Sequence, residues 1–336
     1  MEKLPAETDL REHSDSSERR GSWAFQLALC LLGPLFFVSY LLTILSPLPS
    51  LYLHVGTPNL HKGRLWWAAA LGIGLLLSFQ AHGWLWGSLL FFLFASLPAL
   101  VLGEMLSRRM GPERAILGAV IAVVMASTLS AWVVTQSKGL EFLPAIRLGA
   151  EQLVREGVSQ VLAQPKGDLP ESTYEELKTI QENPGPFVKE LPGIAGFLLL
   201  LLCSLPCVAL IRWNPKGFLR RTGIARDFLR RWSTPDWFVW TGLFCGAFML
   251  FETPILSSWA RNLLKPILLI YFFQGMSILS YFLDSLRLRG PIRMIFYGTA
   301  TLFLPLMVVS FGFFDLWFKF RGGRPFFGGS RPDEPS

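Results

Sequence analysis

Three polar side chains stand out because of where they sit. Gln274 lies in the middle of the apolar run Leu268-Leu269-Ile270-Tyr271-Phe272-Phe273-Gln274-Gly275, and Tyr271, three residues earlier, shares its helix face. A carboxamide or phenol inside such a run needs a partner on another helix or a polar cavity, because lipid offers it neither. Asp315 lies in Phe311-Gly312-Phe313-Phe314-Asp315-Leu316-Trp317-Phe318-Lys319, with Lys319 as its i+4 partner for an interfacial ion pair. Tyr271, Gln274 and Asp315 are therefore the candidate ligand-binding residues, with a helix–helix hydrogen bond as the competing role for Gln274. Other acids sit near the ends of apolar runs. Glu104 has Arg108 at i+4, Glu252 precedes Thr253-Pro254, and Asp284 stands beside Arg287; each reads as a wet helix end.

The residue types needed for catalysis do not assemble. Glu12-His13 is not part of a His-Glu-x-x-His zinc motif, and neither a Gly-x-Ser-x-Gly nucleophile elbow nor a Gly-x-x-x-x-Gly-Lys-Ser/Thr phosphate loop occurs. Gly72 and Gly74 fall inside an apolar run, where they point to close packing. Cys30, Cys203, Cys207 and Cys245 all lie in apolar segments; Cys203 and Cys207 share a face but have no histidine nearby to complete a metal site. The expectation is a protein without enzymatic activity, cofactor or metal.

The elements that must carry these residues are membrane helices. Of 336 residues, 51% are hydrophobic and 16% charged, against about 25% charged in soluble domains. The mean hydropathy is +0.42. Spanning a hydrocarbon core of about 30 Å takes roughly 20 apolar residues at about 1.5 Å per residue. Trp23–Leu45 meets that test without a single charge. Further spans are expected at Leu65–Phe79, Trp84–Leu106, Ala115–Val134, Leu191–Ile211, Trp237–Phe251, Pro266–Leu286 and Ile292–Phe318. The piece Leu51–Val55, behind Ser46-Pro47-Leu48-Pro49, could cross, re-enter or lie at the interface. The predicted fold is all-α: a polytopic transmembrane bundle of eight or nine crossings. The twelve tryptophans fall at or near proposed span ends, where indole rings favour the interface.

Residues 136–187 break the pattern. Ile146, Ala150, Leu153, Val154, Val158, Val161 and Leu162 keep helical spacing along a polar stretch. Ser172-Thr173-Tyr174-Glu175 reads as a capping box opening a second helix, which Asn183-Pro184 would end. This predicts an extramembrane amphipathic hairpin. It divides an N-terminal helix set (23–135) from a C-terminal one (188–318), with a disordered tail over 1–22 and a flexible one over 319–336.

The net charge of +7 does not imply nucleic acid, since the bases cluster between apolar segments. Arg212, Lys216, Arg220, Arg221, Arg226, Arg230 and Arg231 face the single acid Asp227 in one connection. That connection should be cytoplasmic, meeting anionic lipid or a cytoplasmic partner. Counting spans from it puts the 136–187 hairpin outside, and the basic tail after Phe318 outside too, against the charge rule.

The ending Gly312-Phe313-Phe314-Asp315-Leu316-Trp317-Phe318-Lys319-Phe320-Arg321 resembles the C-terminal signature of the YybS-like family of uncharacterised bacterial membrane proteins. The likeness extends back through Tyr271-Phe272-Phe273-Gln274-Gly275 and Pro235-Asp236-Trp237, although Lys319 stands where that family often has an acid. The N-terminal half, on Pro47-Leu48-Pro49, Gly56 and Gly63, is distantly similar to the substrate-binding subunits of energy-coupling-factor transporters and to MreD. These resemblances imply a multi-pass protein of the bacterial cytoplasmic membrane. It would be a small-molecule-binding or transport subunit working with other membrane proteins, or else a scaffold without a ligand.

Overall fold

The computed structural model describes residues 23–39, 42–56, 60–82, 86–163, 170–213, 218–225, 227–251, 253–288 and 290–321. The expected tail over 1–22, Lys216, Arg226, Glu252 and the chain after 321 lie outside them. In chain order the helices are α1 (Trp23–Val38), α2 (Pro47–Gly56), α3 (Leu60–His82), α4 (Trp86–Phe91), α5 (Leu97–Ser107), α6 (Pro112–Ser137), α7 (Phe142–Leu162) and α8 (Glu171–Glu182). They continue with α9 (Gly185–Trp213), α10 (Phe218–Thr222), α11 (Phe228–Arg231), α12 (Phe238–Met249), α13 (Pro254–Ser285), α14 (Pro291–Leu302) and α15 (Pro305–Phe318). No strand occurs among the described residues.

Four helical segments are long and apolar enough to cross a membrane: Gly87–Ser107, Pro112–Ser137, Gly185–Trp213 and Ile255–Ser285. The pair α14–α15 makes a fifth only if it counts as one span, and it is bent by 93°. The expected span Ile292–Phe318 is therefore divided into two helices. Pro305 lacks an N–H and biases Leu304 away from helical angles (φ −128°, ψ 36°), so α14 cannot run on into α15. The expected span Trp237–Phe251 contains a helix of only 12 residues. Eight or nine crossings are not reached by these tests.

The chain divides into two compact units, residues 1–130 with 199–226 and residues 131–198 with 227–336. In the first, Pro47 and Pro49 sit in the opening turn of α2, where a missing N–H costs nothing. All of α2 except Tyr52 is buried. Cys30, Leu53 and Ala70 form one core cluster, and Phe37, Phe91 and Ala95 another. Gly74 is the close-packed glycine expected: a Cβ there would lie 2.0 Å from the Phe91 ring, whereas Gly72 faces open space. Between α4 and α5, Phe92–Ser96 forms a π turn just before Pro98. The Ser96 carbonyl accepts the Trp67 indole N–H at 3.1 Å.

The second unit begins with the hairpin α7–α8, tied by Gln181 Nε2 donating to Ser159 Oγ at 3.0 Å. The capping box is not formed. Helix α8 already starts at Glu171 behind Pro170, so Ser172 lies within the first turn and no side chain caps it. Helix α13 has 32 residues, about 48 Å at about 1.5 Å per residue, well beyond the hydrocarbon core. Its surplus is polar. Arg261 Nε lies 2.9 Å from Glu190 Oε1, and Lys265 pairs with the same carboxylate. Asn262 Oδ1 accepts the Gly193 N–H at 2.8 Å while its Nδ2 donates to the Lys189 carbonyl at 2.8 Å. The stretch from Pro266 onward then carries no charge until Asp284.

Candidate functional site

Two glycines create the site. A Cβ on Gly275 of α13 would lie 1.9 Å from the Val308 carbonyl oxygen, and one on Gly312 of α15 would lie 2.0 Å from that of Tyr271. Backbone therefore meets backbone where the helices cross, as small residues permit inside membranes. The cluster Cys245, Ile267 and Tyr271, with Phe238, Val309 and Phe313 against it, packs α12 onto the same seam.

This crossing brings Gln274 to Asp315. Gln274 Nε2 donates to Asp315 Oδ2 at 3.1 Å, and Gln274 Oε1 accepts the Thr234 hydroxyl at 2.6 Å. Helix α15 ends at Lys319 in left-handed conformation, φ 43°. The turn carries Phe320 and Arg321 back over the carboxylate. Phe320 N–H donates to Asp315 Oδ1 at 3.1 Å, and Arg321 forms the ion pair with Oδ2. The expected Asp315–Lys319 pair is thus replaced. The regular i+4 geometry fails where the helix stops, and Lys319 forms no side-chain ion pair among the described residues.

Arg321 reaches further. Its Nη1 donates to the Trp232 carbonyl at 2.7 Å and the Arg230 carbonyl at 3.2 Å, and it meets Ser277 Oγ at 3.0 Å. The basic end of the chain and the basic segment before α12 are therefore neighbours. Thr234, Ser277 and Arg321 were not singled out from sequence as site residues. Ser277 shares the Gln274 helix face at i+3, but nothing in their spacing links Thr234 or Arg321 to Gln274, since those contacts run between elements dozens of positions apart.

A cavity of about 200 Å³ opens beside this network, lined among others by Thr234, Asp236, Tyr271, Gln274, Asp315 and Lys319. Tyr271 is only 2% exposed. Its ring meets Phe313 edge-on at 5.2 Å, and its hydroxyl has no hydrogen-bond partner. Gln274 has both ends of its amide engaged, so among the three expected residues the free polar group is the Tyr271 hydroxyl. The four cysteines are free and buried. Among the described residues, no three His, Cys, Asp or Glu side chains come together.

An all-helical chain with several apolar helices of membrane-spanning length and paired polar groups at depth is a multi-pass membrane protein. It belongs to the family described as predicted membrane protein (DUF2232), matched over residues 24–316. No curated protein and no solved structure matches the chain.

Proposed function

We propose that the protein is a multi-pass component of the bacterial cytoplasmic membrane that binds a small polar molecule between α12, α13 and α15, without catalysis. The observation that carries the reading is the buried Tyr271 hydroxyl, unpaired beside a cavity whose other buried polar groups are matched. An orphaned buried hydroxyl costs roughly 1–3 kcal/mol, and a ligand oxygen or nitrogen would recover that. At about 30 Å³ per water, the 200 Å³ cavity holds about six waters. That is below the roughly 300–1,000 Å³ of sites for drug-sized ligands. Asp236 and Lys319 at the lining offer both charges, which suits an amino-acid-sized zwitterion.

A transport role, as in the resemblance to energy-coupling-factor subunits, would have this site loaded from one side and energised by separate proteins. The topology we favour has about eight crossings, three of them (α1, α2 and α12) shorter than the roughly 20 residues of a full span. The basic segment before α12 would lie inside, with Arg321 beside it, so that α14–α15 re-enters and does not cross. The bend of 93° supports that reading and removes the conflict of a basic tail outside. The Trp23–Trp66 contact at 5.3 Å sets the start of α1 beside the start of α3, which supports both beginning on the inner side with α2 returning between them.

The test is thermal unfolding of the purified, full-length protein in lipid nanodiscs against a panel of amino acids, amines and small carboxylates. A binder at 100 times its dissociation constant adds about 2.7 kcal/mol of stability. At least one compound should raise the midpoint in the parent and not in Tyr271→Phe. Absence of any shift, together with no co-purifying small molecule by native mass spectrometry, would sink the reading.

A scaffold role is favoured by one feature: Leu143, Leu148 and Leu153 of α7 are exposed on the hairpin, which we place outside the membrane. Deleting residues 140–185 should then abolish partner recovery from membranes while leaving ligand shifts intact.

A further inference from the structure

A second cavity lies at the far end of α13, and it is built around an arginine in an unusual backbone state. The helix closes with Leu288 N–H donating to the Leu283 carbonyl at 3.0 Å and Arg287 N–H to the Asp284 carbonyl at 3.0 Å. This is the Schellman pattern, whose left-handed position usually belongs to glycine. Here Arg287 occupies it with φ 55°. A residue with a Cβ is strained in that conformation.

The neighbouring arginines share one carboxylate, and Arg287 has none. Asp284 receives Arg230 Nε at 3.0 Å and is also paired with Arg293 of α14. Arg293 in turn donates to Ser280 Oγ and to the Tyr297 hydroxyl, both at 2.8 Å. The Arg287 side chain forms no ion pair or hydrogen bond among the described residues. The cavity, of about 480 Å³, is lined by Arg230, Tyr281, Asp284, Ser285, Arg287 and Leu288. Two arginines against one aspartate in the lining, with Arg293 on that same carboxylate, make it electropositive, and the Tyr281 and Ser285 hydroxyls add neutral donors. Phe282 and Leu286, on the same last turns of α13, are exposed apolar side chains.

We propose that this cavity binds a phosphate ester, supplied as the headgroup of an anionic phospholipid. The chemistry is that of guanidinium and hydroxyl donors around a phosphate oxygen. The lipid source follows from Phe282 and Leu286, which would lie against the glycerol and upper acyl chain, and from basic helix ends favouring the anionic cytoplasmic leaflet. The site is separate from the cavity beside Tyr271 and does not depend on its ligand.

Arg287→Gly tests this cleanly, because glycine suits the left-handed position and removes only the side chain. Full-length protein is placed in nanodiscs of phosphatidylcholine alone and of phosphatidylcholine with phosphatidylglycerol, and thermal midpoints and lipid adducts by native mass spectrometry are compared. The parent should gain midpoint and retain phosphatidylglycerol adducts. Arg287→Gly should lose both while its midpoint in phosphatidylcholine stays equal to the parent's or rises. An undiminished phosphatidylglycerol effect in Arg287→Gly would overturn the site. Inorganic phosphate or glycerol phosphate giving the full shift, lost in Arg287→Gly, would overturn the lipid source and leave a site for free phosphate esters.

Discussion

Glu104 in the first unit and Asp315 in the second are both carboxylates near the end of an apolar helix, and each is held by guanidinium. Glu104 takes Arg64 at 2.7 Å and Arg108 at 2.9 Å, but those side chains are 44% and 69% exposed. Asp315 is 8% exposed and Arg321 14%. Bulk water screens the first group, whereas the second is largely covered by protein and meets solvent only through the cavity beside it. The unpaired polar atoms nearby differ as well. Next to Glu104, the fully buried His54 ring has neither nitrogen hydrogen-bonded, with Nε2 lying 3.8 Å from the carboxylate. It is pressed so tightly on Gly103 that a Cβ there would meet it at 2.2 Å. Next to Asp315, the unpaired Tyr271 hydroxyl has a cavity beside it. Similar side chains thus make a screened anchor in one place and a buried frame around a space in the other.

The largest expected effect separates the two directly. Asp315→Ala leaves Arg321 and the Gln274 amide uncompensated and should cost about 3–5 kcal/mol, the range for breaking a buried pair. Glu104→Ala should cost about 0–1 kcal/mol, as exposed pairs do. Denaturant or thermal unfolding of both variants in the same detergent decides it; equal losses would end the distinction. Next in size is Gly312→Ala, whose methyl meets the Tyr271 carbonyl. Overpacking of this kind costs about 1–3 kcal/mol, and backbone cannot yield as a flexible side chain can. Gly72→Ala, where nothing lies within 4 Å, should instead gain up to about 1 kcal/mol from helix propensity. A destabilised Gly72→Ala or a neutral Gly312→Ala would show that the α13–α15 seam is looser than its backbone contacts imply.

The sequence carried the helices well where a long apolar run met a clear polar boundary, as at Ala115–Val134 inside α6 and Leu191–Ile211 inside α9. It failed where a proline interrupts an apolar run, because composition is blind to a bend: Pro305 turns one expected span into two short helices. At the site, Gln274 and Asp315 were legible because a polar group in an apolar run must be answered. Their actual partners were not. Spacing along a helix finds i+4 neighbours such as Glu104–Arg108, but Thr234 and Arg321 reach the site through a loop and a left-handed turn. Gly275 and Gly312, the residues that allow the seam, were visible only as parts of a family resemblance.

The smallest effect on stability is expected at Tyr271, and it is the most informative. Because its hydroxyl is unpaired, Tyr271→Phe removes a polar atom without a partner and keeps the ring that contacts Phe313 and Phe238. The unfolding midpoint should then hold or rise, by up to about 1 kcal/mol of stability. Asp315→Ala moves the other way. A Tyr271→Phe variant that keeps its fold and loses every ligand-induced shift assigns binding to the cavity, since nothing else at the seam has changed. A loss above about 1 kcal/mol would mean that the hydroxyl is a framework bond like that of Gln274. The Asp315 region would then be an anchor, buried where Glu104 is wet, and the distinction between the two carboxylates would be one of solvent alone.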